Sequence, residues 1–328
     1  MLEFVATIGP ATRDLKILRE LVQTGTTIFR LNFSHNVHAW YDELFEDLVK
    51  IKKEFPQVKI LADISGPSLR ILTPEQKEIV ATKDVSMVIS STDENQCRLT
   101  LEGVISQFPV GSELIFGEGY GRAKITQNDG SNITIIFLED FVIKHRMHLH
   151  TTVHLKTAAL TQNDWNDIEY LKDKPIDIMA LSFVQDRKPL DEVRALWQKN
   201  NKSPLILSKI ETQAAMDNLT ELTEVSDMLM VARGDLALEA KLTELPQNQQ
   251  KIIDCGKKYH KPVIVATQML YSMTSNPMPT RAEINDIALA VRQGAAGVML
   301  SDETTTGKYP IRAVFYLKAI AEAAIQSA

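Results

Sequence analysis

The chain has 328 residues, 44% of them hydrophobic, enough to bury a core larger than that of a typical single domain. Lys and Arg total 36 against 42 Asp and Glu, a formal charge of -6, and no block of like charge is long enough for a nucleic-acid arm or a membrane patch. Cys97 and Cys255 lie far apart, no apolar run is long enough to span a bilayer and no signal peptide opens the chain, so a reduced cytoplasmic protein is expected.

Taken in order, the sequence reads as eight strand–helix units. Strand one is Glu3–Ile8, with a helix from Arg13 to about Thr24. Strand two is Thr27–Asn32, with a helix from about His38 to Glu54 that Pro56 stops. Strand three is Val58–Asp63. The rhythm then breaks, and residues 71–144 carry short alternating runs such as Val85–Ile89 and Ile133–Phe137. The turn signal Asn128-Asp129-Gly130 joins two of them, so this stretch is expected to be a small all-β insert. A helix over Gln162–Leu171 resumes the pattern. Strands Asp177–Phe183, Leu205–Ile210, Met228–Ala232, Pro262–Thr267 and Gly297–Ser301 follow. Their helices are expected at Leu190–Gln198, Ala214–Leu222, Gln247–Lys258, Arg281–Arg292 and Ile311–Ile325. Eight such units favour an α/β fold of the (β/α)8 barrel type, built from residues 1–70 and 145–328, over an open sheet.

In that fold the active site forms at the carboxyl ends of the strands. Polar residues gather at those ends: Arg30, Asn32, Asp63, Lys209, Glu211, Arg233, Asp235, Thr267, Gln268, Ser301 and Glu303. Lys209 and Glu211 are two apart, so on a strand both face the same way. With Asp235 they make a cation beside a divalent-metal site, which suits a reaction that moves or stabilises negative charge.

Several segments carry a family resemblance. They are Ala6-Thr7-Ile8-Gly9-Pro10-Ala11-Thr12, Arg30-Leu31-Asn32-Phe33-Ser34-His35, Asp63-Ile64-Ser65-Gly66-Pro67, Ser182-Phe183-Val184 and Ser208-Lys209-Ile210-Glu211. Val231-Ala232-Arg233-Gly234-Asp235, Ala266-Thr267-Gln268-Met269, Pro279-Thr280-Arg281-Ala282-Glu283 and Leu300-Ser301-Asp302-Glu303-Thr304 continue the series. In this order they resemble the pyruvate kinase family across nearly the whole chain. The resemblance implies phosphoryl transfer between phosphoenolpyruvate and ADP through a metal-stabilised enolate. It implies Lys209 and Arg30 at the phosphoryl group. Glu211 and Asp235 would hold Mg2+ or Mn2+, and Asn32, Ser34, Asp63 and the Ile64 carbonyl would hold K+. It further implies that Arg233, Gly234, Asp235 and Thr267 hold the substrate, and that Pro10, His35 and Arg70 hold the nucleotide. Ser301 and Glu303 match the group associated with protonating the enolate.

The chain also departs from the family. It stops after its eighth helix, where the family usually continues into a C-terminal domain; the allosteric sugar-phosphate site and one subunit interface are expected to be missing. A homo-oligomer and a separate partner chain both remain open. The family's Lys-Gly-Val-Asn-Leu-Pro segment reads His145-Arg146-Met147-His148-Leu149-His150 here, so its nucleotide-contacting lysine is lost or replaced by Lys144 or Arg146. Ser65, Ser68 and Asp302 stand where the family has a lysine, an acidic residue and a glycine, and Gly117-Glu118-Gly119 stands for its Asp-Asp-Gly. The phosphoryl and metal end is thus complete while the nucleotide and lid end is altered. Alternatives are enolpyruvate or oxo-acid chemistry with a non-nucleotide acceptor, decarboxylation, or a non-catalytic regulatory role. His145, His148, His150 and His154 cluster within ten residues, but no carboxylate or cysteine sits at ligand spacing nearby. A solvated hinge or the edge of a phosphate-binding lid is the expected reading of that cluster.

Overall fold

The computed structural model describes residues 2–34, 37–153, 155–199 and 203–326. Three strands open the chain: β1 (Glu3–Thr7), β2 (Ile28–Asn32) and β3 (Lys59–Ile64). Nine short strands of the insert follow: β4 (Arg70–Leu72), β5 (Ile79–Ala81), β6 (Ser86–Ser90), β7 (Cys97–Leu99), β8 (Glu113–Phe116), β9 (Gly121–Asn128), β10 (Asn132–Phe137), β11 (Phe141–Ile143) and β12 (Met147–His150). The last five are β13 (Ile178–Leu181), β14 (Leu205–Ile210), β15 (Met228–Ala232), β16 (Val263–Ala266) and β17 (Gly297–Leu300). The first three and last five close into a parallel barrel in the order β1-β17-β16-β15-β14-β13-β3-β2. This is the expected (β/α)8 architecture. Strands buried on both faces need apolar side chains at every position, which is why they read as near-continuous hydrophobic runs.

Alternation along each strand sorts those side chains into two cores. Val5, Ile28, Leu61, Ile178, Ala180, Leu207, Met230, Ile264 and Met299 fill the barrel interior. The intervening residues, such as Ala6, Phe29, Ile60, Met179 and Ile206, face the surrounding helices with Leu18, Leu48, Val193 and Leu317. The helices are ended by local chemistry. Thr161 and Thr280 each cap a helix in a reciprocal box with Asp164 and Glu283, and Gly25 and Gly294 close helices with positive φ.

The insert forms its own closed barrel, β10-β6-β7-β4-β12-β8-β9, around Ile71, Phe116, Ile125, Ile133 and Phe137. Its sheet reaches beyond residues 71–144, because β12 returns to pair with β4 at Met147↔Ile71 and His148↔Arg70. The Asn128-Asp129-Gly130 turn does join β9 to β10, with Gly130 at φ 92. Two local differences from expectation stand out in the main barrel. The helix expected over residues 214–222 is two, Gln213–Asp217 and Leu219–Val225, since Asn218 leaves helical geometry and its side-chain amide donates to the Gln185 carbonyl at 2.8 Å. A short helix, Arg233–Glu239, begins directly at the end of β15, ahead of the helix expected at Gln247–Lys258. No helix among the described residues is long and apolar enough to cross a membrane.

The insert leaves the barrel through Gly66, which has φ +65. A Cβ there would lie 2.5 Å from the Ser182 carbonyl oxygen. Gly103, in the insert, has φ +70 but open space around its Cα. Gly66→Ala therefore combines backbone strain with a clash and should cost at least about 2 kcal/mol, against about 1 kcal/mol for Gly103→Ala. Urea unfolding of both variants checks this; equal midpoints would show that the Ser182 contact yields freely.

Candidate active site

The barrel interior changes character at its carboxyl end without changing its alternation. Two residues beyond the inward Val5, Ile28, Leu61, Ala180 and Leu207 come Thr7, Arg30, Asp63, Ser182 and Lys209. Arg30 Nε donates to Asp63 Oδ2 at 2.7 Å and its Nη1 donates to Thr7 Oγ1 at 3.0 Å. Lys209 Nζ donates to Ser182 Oγ at 2.7 Å, and that hydroxyl reaches the Ile64 carbonyl at 2.6 Å. The ammonium also lies 3.5 Å from Asp63 Oδ1 and 3.3 Å from Glu211 Oε2. Lys209 and Glu211 thus share a face, as their spacing requires.

Glu211 is fully buried. Its Oε1 accepts the Phe183 N–H at 2.5 Å, while Oε2 accepts no hydrogen bond among the described residues. Burial pushes its carboxyl up to about 8; Lys209 opposes this and Asp235 adds to it. Burial acts the same way on Asp63, but Lys209 and Arg30 outweigh it and hold that carboxyl below its ordinary range. Lys209 is held above its ordinary range, burial being overcome by the carboxylates of Asp63 and Glu211. A buried carboxylate oxygen that accepts no hydrogen bond and faces only the Lys209 ammonium, beside a second acid, is the donor chemistry a hard divalent ion needs, so Glu211 and Asp235 fit a Mg2+ or Mn2+ site.

On the other side of the mouth, Thr267 Oγ1 accepts the Gly234 N–H at 2.8 Å and donates to the Ala266 carbonyl at 2.7 Å. Thr267 and Gln268 both have positive φ, 69° and 54°. Arg233 holds them there. Its guanidinium pairs with Asp286 at 2.7 Å and donates to the carbonyls of Ala266 at 3.1 Å and Thr267 at 2.6 Å. The structure therefore places Arg233 as a brace behind Thr267 and not at the open mouth. Glu303 is also committed to backbone: its carboxylate accepts the Leu270 N–H at 2.9 Å and the Ser301 N–H at 2.7 Å. It fixes the position of Ser301.

The oxygen donors Asn32, Ser34, Asp63 and the Ile64 carbonyl lie at the ends of adjacent strands, Asn32 in register with Asp63. Asn32 Oδ1 accepts the Ser34 N–H at 3.3 Å. Arg70 is half-buried and donates to the Arg146 carbonyl at 3.0 Å, Pro10 is exposed, and His35 lies outside the described residues. Ser182 is the residue that sequence reasoning passed over as a site member. Its position two beyond the inward Ala180 was the available signal. The structure also brings Asp235 to His148 and His150, a proximity that chain spacing conceals.

A family model described as the pyruvate kinase barrel domain matches residues 2–314. Among curated proteins, pyruvate kinase 2 of Synechocystis sp. is 34% identical over 98% of this chain and 56% of its own length. The pyruvate kinase of Sporosarcina psychrophila is 35% identical over 98% of this chain and 57% of its own. That of Thermotoga maritima is 34% identical over 98% and 70%. The chain thus spans little more than half the length of the first two relatives.

The raised Glu211 carboxyl makes a measurable claim. In the metal-free protein its contribution to stability is full below the unfolded value of 4.5 and is lost as pH climbs through about 8. A divalent ion must displace that proton. Titrating Mn2+ at about pH 7, in buffers of different ionisation enthalpy, should release close to one proton per ion, falling toward none above about pH 9. Binding without proton release at neutral pH would mean that Glu211 is already ionised.

Proposed function

The chain belongs to the pyruvate kinase family, and on that premise we propose that its barrel mouth moves a phosphoryl group between phosphoenolpyruvate and ADP. The observation that carries this reading is the buried Lys209 ammonium, held by Ser182, Asp63 and Glu211 beside Arg30. Phosphoryl transfer asks little covalent chemistry of a protein; it asks for positive charge fixed around the equatorial oxygens. Lys209 and Arg30 supply two such charges, and neither must reorganise much, because both are anchored in the polar layer at the barrel mouth. The transferred phosphorus leaves the enol oxygen for the terminal phosphate oxygen of ADP, and the enolate left behind takes a proton at carbon to give pyruvate.

In this proposal Thr267 and the amides of Gly234 and Asp235 hold the substrate carboxylate, with Arg233 keeping Thr267 in its strained conformation. Ser301 faces the carbon to be protonated, and Glu303 positions it through the Ser301 N–H. A divalent ion bound by Glu211 and Asp235 would supply Lewis-acid stabilisation of the enolate. K+ is assigned to Asn32, Ser34, Asp63 and the Ile64 carbonyl, all oxygen donors. The nucleotide would contact Pro10, His35 and Arg70. A second reading, transfer to a non-nucleotide acceptor, is favoured by one observation: the segment that returns from the lid reads His145-Arg146-Met147-His148-Leu149-His150 and not Lys-Gly-Val-Asn-Leu-Pro, so the family's nucleotide-contacting lysine is lost from its place at His145.

Pyruvate release from phosphoenolpyruvate and ADP, with Mg2+ and K+, tests the proposal. Lys209→Ala should lower turnover by about 10^3-fold while the circular dichroism spectrum is kept. Comparable turnover in the variant would overturn the role given to Lys209. A well-folded parent that binds phosphoenolpyruvate but does not use ADP would favour the second reading.

A further inference from the structure

The return strand of the lid, β12, carries His148 and His150 on one face, two residues apart. Their rings lie parallel, with centroids 5.9 Å apart and planes 9° from each other. Asp235, from the helix that starts at the end of β15, comes to meet them. A ring nitrogen of each histidine and a carboxylate oxygen of Asp235 all lie within 4.8 Å of one another. The neighbours of the rings are also informative. His150 is 4% exposed, and its Nδ1 faces Glu239 Oε1 at 3.2 Å. His148 Nδ1 faces Ser68 Oγ at 3.4 Å. A carboxylate on one nitrogen of a buried imidazole fixes the ring and raises the basicity of the other, which is the outer-shell arrangement of metal-binding histidines.

We propose that His148, His150 and Asp235 bind a first-row transition-metal ion, with Zn2+ and Co2+ as its probes, and that this ion ties the lid strand to the barrel mouth. Two imidazoles and one carboxylate are borderline donors; they suit Zn2+ or Co2+ and not Mg2+, which prefers oxygen throughout. Ligand atoms around a tetrahedral Zn2+ stand about 3.3 Å apart, so small side-chain rotations complete the site. Three protein ligands leave a fourth position for water or an anion. Of the other histidines of the cluster, His145 is engaged elsewhere, its Nδ1 accepting the Thr73 N–H at 3.2 Å, and His154 lies outside the described residues. The site stands apart from the phosphoryl chemistry except that Asp235 belongs to both. An ion held by the histidines therefore competes with one held by Glu211 for a single carboxylate.

The test is a Co2+ titration of the whole chain after chelator treatment, read in the visible spectrum. One equivalent should give the intense absorption of a four- or five-coordinate ion, and Zn2+ should abolish it. His148→Ala should weaken binding by at least about tenfold, and His150→Gln likewise, with His150→Gln chosen to keep the buried volume. His145→Ala and Glu211→Gln should keep the spectrum. Zn2+ should also raise the melting temperature of the parent and not of His148→Ala. The proposal is overturned by an absorption that survives both histidine variants, by one lost in Glu211→Gln but kept in them, or by no absorption at all. None of these readouts depends on turnover, so they separate this site from the reading of the reaction.

Discussion

The mouth of this barrel is organised by the need to compensate one buried ammonium group. Lys209 has a side chain only 12% exposed, above an interior filled with apolar residues. Stripping water from such a cation, and from the carboxylates that answer it, costs several kcal/mol per ion before any contact is made. Compensation then propagates. Lys209 requires Ser182, Asp63 and Glu211; Asp63, fully buried, requires Arg30; and Arg30 requires Thr7. Residues from five strands are fixed by one chain of obligations. The apolar floor beneath them excludes water and strengthens each interaction in turn.

Backbone strain gathers around this layer. Phe183, Thr267 and Gln268 have positive φ although none is glycine. Such conformations cost on the order of 1–3 kcal/mol each and persist only where neighbours over-determine them. Here the neighbours are charged groups. The Glu211 carboxylate holds the Phe183 amide, and the Arg233 guanidinium, paired with Asp286, holds the Thr267 carbonyl. Glu303 does the same for Leu270 and Ser301. The mouth is thus shaped by buried ions gripping backbone, which gives fixed positions to Thr267 and Ser301 without requiring them to make those contacts themselves.

Much of this was legible in the sequence, and the reasons are physical. Near-continuous apolar runs at regular intervals mark a parallel barrel. The period of two then carries the inward face to the carboxyl end of the strands, onto Arg30, Asp63 and Lys209. What the sequence could not disclose is where a charged side chain turns once it leaves the strand. Arg233 and Glu303 occupy positions at the mouth, yet both point their charge at backbone, because the residues they serve lie on the neighbouring loop. The break at Asn218 depends on a carbonyl of Gln185, more than thirty residues away. Likewise the histidines of β12 have no acid nearby in the chain, since the carboxylate they meet, Asp235, comes from the helix that follows β15.

The balance of charge argues for a site and not for a scaffold. Arg30 and Lys209 answer Asp63 and the charge of Arg70 acts on Asp235, an arrangement that leaves the Glu211 carboxylate only a share of Lys209. Its mark is the Glu211 Oε2 atom, buried and without a hydrogen bond among the described residues, and a carboxyl raised to about 8. A barrel serving only to hold a shape would gain stability from apolar side chains of the same volume at these positions. The cost becomes intelligible if a cation completes the set. Asp235 is then the point of decision. Shared with Glu211 it offers oxygen to a hard ion, and shared with His148 and His150 it offers a borderline one a different home. On these two proposed assignments, the histidines of the lid would decide which cation the mouth prefers.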